Sequence, residues 1–119
     1  ALTSGIVTTG SQTFAGAKTF KGTLITAGGR LQSIRTVTAT GTLLATDDFV
    51  IIAPASANAT ITLPAPVAGL TLTVKRNSAT YLVTVVPPSG TIDGQSSYGL
   101  SANYQAVTFI SDGTNWFVT

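Results

Sequence analysis

The chain has 119 residues with six cationic and four anionic side chains, and it lacks Glu, His, Met and Cys. Only 8% of its residues are charged, against about 25% in an ordinary soluble domain. Missing cysteines exclude disulfides and thiolate metal sites. The cations Lys18, Lys21, Arg30, Arg35, Lys75 and Arg76 are too scattered to form the cationic stripe that nucleic acid demands.

Residues 1–33 come first and differ from the rest. Ala1-Leu2-Thr3-Ser4-Gly5 has neither the basic flank nor the apolar run of a signal peptide. The opening on Ala1 reads as a fragment or a processed chain. Gly5, Gly10, Gly16, Gly22, Gly28 and Gly29 then recur about every six residues among short Thr-rich pieces. Gln12-Thr13-Phe14-Ala15-Gly16 is echoed six residues later by Lys18-Thr19-Phe20-Lys21-Gly22. Two phenylalanines in so small and polar a stretch build no core alone. Phe14 and Phe20 are therefore expected to pack between chains, in an arm that orders as it assembles.

From Ile34 to Thr119 the pattern is that of a β domain. Thr fills about one position in five of the whole chain, Val and Ile are frequent, and no run of ten residues keeps a 3.6-residue period. Phe49–Ala53 is a continuous apolar run, as in a strand covered on both faces; at five residues it is far short of the roughly 20 of a membrane helix. Thr60–Leu63 alternates and is stopped by Pro64-Ala65-Pro66. Leu70–Lys75 alternates strictly and, across the turn 76–80, is expected to pair as a hairpin with Tyr81–Val86. The Lys75-Arg76 pair reads as part of a solvated turn. Thr91–Gly94 reads as a short strand ending in an Asp-Gly turn. Tyr104–Ser111 and Trp116–Val118 flank the turn Asp112–Asn115. Short turns imply antiparallel pairing, and strands about ten residues apart imply a sandwich or barrel.

Several pieces, taken in order, carry a family resemblance. Thr9-Gly10-Ser11-Gln12-Thr13-Phe14-Ala15-Gly16-Ala17-Lys18-Thr19-Phe20-Lys21-Gly22 resembles the G-x-Q-T-F-x-G-x-K-T-F-x-G segment of phage tail-fibre proteins. Thr46–Ile51, Thr60–Pro66, Gly90–Gly94 and Ser111–Phe117 are similar to a small fibre domain that follows such segments. The resemblance implies a homotrimeric fibre exposed on a virion, or on the surface of a cell carrying phage genes, with no catalytic residues to transfer. It covers both shaft pieces and receptor-binding tips. The chain end at Thr119, directly after the last strand, favours a C-terminal tip.

The chemistry in the sequence agrees with a non-enzymatic role. Glycan hydrolysis by the usual route needs two carboxylates at a defined separation, and the only acids are Asp47, Asp48, Asp93 and Asp112. Asp93 and Asp112 each precede Gly in a turn, where Asp bonds its own backbone. Asp47 and Asp48 are adjacent and point to opposite faces if extended. Without His there is no Ser-His-Asp triad. Neither an EF-hand spacing nor a phosphate-cradling Gly motif occurs, so no metal or cofactor is expected.

Binding is the open possibility. Tyr98, in the loop after Gly94, is the surface candidate for stacking on a sugar. Trp116 is a second, set against a role as a core or interchain anchor. Arg35 is a third, either a solvated or interchain cation or a contact for an anionic glycan. The expectation is an all-β chain: an extended arm over 1–33 and a small antiparallel sandwich- or barrel-like head over 34–119, assembled as a homotrimer. It would be a structural or adhesive fibre segment contacting a surface glycan or protein receptor, without nucleic acid or membrane insertion. The alternatives are a monomeric carbohydrate-binding module and a non-binding shaft or trimerisation domain.

Overall fold

The computed structural model describes residues 9–119, so Gly5 and the opening residues lie outside the described residues. The chain divides into two units, Ala1–Arg30 and Leu31–Thr119. In the first unit the described residues form neither helix nor strand, and every one of them is exposed. Gly16 sits at φ 72°, a left-handed conformation natural to glycine. The Lys18 ammonium donates to the Ala15 carbonyl across this bend.

The second unit is all β. Its strands are β1 (Ile34–Val37), β2 (Gly41–Thr42), β3 (Phe49–Ile52), β4 (Ala59–Thr62), β5 (Thr71–Arg76), β6 (Val83–Val86), β7 (Tyr98–Leu100), β8 (Ala106–Ser111) and β9 (Trp116–Val118). They make a five-stranded sheet in the order β1-β3-β5-β8-β9 and a four-stranded sheet in the order β2-β4-β6-β7.

Both sheets are mixed, which corrects the expected antiparallel pairing. β1, β3 and β5 run parallel, as do β2, β4 and β6; only β5–β8, β8–β9 and β6–β7 are antiparallel. The first six strands alternate between the sheets, each entering the one that its predecessor does not occupy. Phe49 thus pairs with Thr73 and Ala59 with Val83, each 24 residues on.

The expected hairpin of Leu70–Lys75 with Tyr81–Val86 does not form, because β5 and β6 belong to different sheets. The reason lies in the connection. The Asn77 amide bonds the Ile52 carbonyl at 2.7 Å, the Ser78 hydroxyl accepts from the Tyr81 amide, and the Leu82 amide donates to the Asn58 side chain at 2.9 Å. Bonds to residues about 24 positions back hold the segment to the previous circuit and carry it across to the other sheet. Alternation alone cannot distinguish these outcomes, since a strand with one buried face looks the same beside a parallel or an antiparallel neighbour.

Inward-facing residues of both sheets join in one hydrophobic core. Val50, Ile52, Leu72, Val74, Phe109 and Trp116 come from the larger sheet; Ala59, Ile61, Val83, Val85 and Leu100 come from the smaller. Parallel register stacks like on like, Val50 beside Val74 and Ile61 beside Val85.

Three local expectations need correction. Phe49–Ile52 is covered on one face only, with Val50 and Ile52 buried and Phe49 and Ile51 half-exposed. Thr91–Gly94 is no strand: Ile92 makes isolated bridges to Gln95 and Trp116, and Asp93 and Gly94 turn the chain at φ 49° and 77°. Tyr104 precedes β8 with φ 64° instead of opening it. No helix among the described residues is long and apolar enough to cross a membrane.

Candidate functional site

The three residues expected to touch a ligand lie in different settings. Trp116 is fully buried, and its indole N–H finds no partner among the described residues. Its ring offers no face to a sugar; it is a core anchor instead. Tyr98 lies in β7, not in a loop, and meets Phe109 edge to face with centroids 5.8 Å apart. It is half-buried, with its ring engaged by the core.

Arg35 is held by a carboxylate of its own chain. Its Nε and Nη2 donate to the two oxygens of Asp47 at 2.9 and 2.6 Å, and the Leu44 amide adds a 2.7 Å bond to Asp47 Oδ2. This fork-on-fork geometry is the strong form of an ion pair. Arg35 hydrogen bonding, then the Leu44 amide and the Arg35 charge, hold the Asp47 carboxyl below its ordinary value against the opposing effect of burial. The pair ties the first strand of the head to the 44–47 turn before β3, so its evident task is to close a long loop.

A prediction follows for pH. Because the Asp47 pKa is lower folded than unfolded, its contribution is complete above the ordinary carboxylate value of 3.8. It is lost as pH falls through the folded value. Asp47→Asn is expected to cost about 1–2 kcal/mol at pH 7, and the gap to wild type should narrow steadily below about pH 4. Thermal melts of both proteins from pH 7 to pH 2.5 check this; a gap independent of pH would assign the cost to packing.

The other carboxylates are also engaged, but only Asp112 bonds its own turn as expected; the bond of Asp93 is to a residue 25 positions on. Asp112 accepts from the amides of Thr114 and Asn115 at 2.8 Å each, bonds that lower its pKa. Asp93 accepts from the Val118 amide, and Asp48 lies 3.4 Å from the Gln32 amide nitrogen. Among the described residues no group of three or more His, Cys, Asp or Glu side chains could hold a metal ion.

Arg76 corrects the expectation of a solvated Lys75-Arg76 turn. Its side chain is buried at the end of β5, with Nη1 donating to the carbonyls of Leu100 and Ser101. Carbonyl dipoles, not a carboxylate, accept its charge, and Nε has no partner among the described residues. Lys75, on the opposite face, reaches the Tyr104 carbonyl at 2.7 Å and stands 5.8 Å from that ring's centroid. In sequence the two cations look alike; strand alternation separates them.

Two surface features remain. In the first unit, Phe14 and Phe20 are 59% and 65% exposed and, with Lys18 and Thr19, line an apolar recess of about 370 Å³. In the head, the outer face of the five-stranded sheet carries Ile34, Phe49, Ile51, Ile110 and Phe117 among threonines. The outer face of the other sheet carries Thr42, Thr60, Thr62, Thr84 and Val86. The continuous apolar run Phe49–Ala53 already carries the signal for the apolar face, but a run of this kind is the same whether a second layer of the chain covers it or not. No family model matches this chain, and no curated protein matches it.

Proposed function

We propose that the chain is a structural and adhesive segment of a phage-type trimeric fibre, displayed on a virion or cell surface, without enzymatic activity. The observation that carries this reading is the first unit. Phe14, Phe20, Leu24 and Ile25 are all more than half exposed in a segment whose described residues form no strand or helix and bury no side chain. Such stranded apolar groups, with Phe14 and Phe20 six residues apart, find cover when copies of the arm lie together, and the ordering cost of so polar a segment is met on assembly. In this reading the two sheets are the layers of a small sandwich-like head, and any receptor is held by surface groups other than Trp116. Engagement of all four carboxylates by other groups of the chain favours a non-catalytic role.

Light scattering coupled to size exclusion tests the reading. A trimer is expected at about 36 kDa, three times the 12.1 kDa chain. Phe14→Asp combined with Phe20→Asp is expected to shift this mass toward that of one chain. A wild-type chain that stays monomeric at high concentration would sink the interchain account and turn attention to a monomeric binding module.

A further inference from the structure

We infer that the outer face of the five-stranded sheet is where the heads of neighbouring copies meet; this rests on the trimeric reading above and names the surface through which the heads join. The register makes this face continuous. Ile34, Phe49, Thr73 and Thr108 stand side by side across four strands. Ile51 lies between Thr36 and Lys75, and Ile110 lies between Thr71 and Phe117.

A sheet face left to water is ordinarily polar and charged. This one has five large apolar side chains, and Ile34 and Phe117 are 66% and 40% exposed. Its polar groups are in part already satisfied. The Thr73 and Thr108 hydroxyls bond each other at 2.9 Å, so they do not require water. The one charge, Lys75, is held aside by the Tyr104 carbonyl. Such a face can be dried at little cost.

Charge and size both select a second copy as the cover. A face almost free of charge offers a charged foreign partner nothing to pair with, whereas it matches its own kind. Five strands about 4.8 Å apart and up to six residues long give a patch of about 19 by 20 Å. This is about half of the roughly 800 Å² per partner of a standard interface. Free heads would bind through it weakly, but copies already joined through their arms would meet it at high effective concentration.

The absence of native cysteine makes the test direct. Ile51→Cys and Thr84→Cys each place a thiol at a half-exposed outward position, on the larger and smaller sheet respectively. The full chain carrying each is labelled with a maleimide while its mass is measured. At trimer mass, Ile51→Cys is expected to label at least about ten-fold more slowly than Thr84→Cys, the two rates becoming equal in denaturant. Equal native rates at trimer mass would overturn the assignment of this face and leave the trimer standing. A dimer with slow labelling at position 51 would keep the face and reject the trimer. A monomer would overturn both, whatever the labelling rates.

Discussion

Trp116→Ala is expected to destabilise the head by about 3–5 kcal/mol, in the range of large aromatic deletions from packed cores. Trp116 is the largest fully buried side chain, and it sits in β9, the last strand of the larger sheet. Its backbone also stitches distant segments together: its amide donates to Thr91 at 2.8 Å, and its carbonyl accepts from Asp93 at 3.0 Å. Deleting the indole would leave a cavity beneath a strand whose outer side is held only by the 91–93 segment, and β9 with that segment should loosen first. Trp116→Phe is expected to cost much less, about 1–2 kcal/mol, since it keeps an aromatic ring and removes the unpartnered N–H. Urea unfolding followed by circular dichroism, at one fixed protein concentration, checks both. A cost below about 1 kcal/mol for Trp116→Ala would mean that the indole is not a core anchor.

Gly90→Ala should be the most damaging of the conservative glycine substitutions. Gly90 has φ 70°, and an added Cβ would stand 2.5 Å from the Thr114 carbonyl oxygen and 2.6 Å from Asn115 Oδ1. The first is backbone and cannot swing aside. The second accepts from the Thr91 amide at 2.9 Å and from the Thr91 hydroxyl at 3.2 Å, so relieving the clash breaks the clamp between the 90–91 and 114–115 turns. Conformational strain and lost bonds together predict a loss of about 2–4 kcal/mol. Gly94→Ala is the internal control: its φ is 77°, but nothing lies within 4 Å of the added Cβ, so only the left-handed conformation is penalised, at about 1 kcal/mol. Measured side by side in urea, similar losses at the two positions would show that φ alone sets the cost and that the Gly90 contact is soft.

These two predictions rest on different kinds of legibility. The strand character of Phe49–Ile52, Thr71–Lys75 and Trp116–Val118 follows from alternation and β-branched content, and the Asp112–Asn115 turn follows from residues that bond their own backbone. Gly90 and Asn115 are 25 positions apart, and nothing local in either announces the other. Arg76 is a similar case. One residue from Lys75, it points inward because β5 continues to position 76, and it is tolerated there because the Leu100 and Ser101 carbonyls come to it from another strand.

The sequence by itself determined the all-β class, the change of character between the Gly/Thr-rich first stretch and the rest, and the positions of most strands. These depend on side-chain shape, backbone freedom and short-range periodicity, all of which are local. The tertiary structure alone decided which strands are neighbours. It placed consecutive strands in opposite sheets, set β1, β3, β5 and β2, β4, β6 parallel, joined Arg35 to Asp47, and buried Trp116 and Arg76. Period-two alternation states that a strand has an inside and an outside. It is silent on what lies beside the strand, because pairing partners are chosen by long-range hydrogen bonds and by the closing of one shared core.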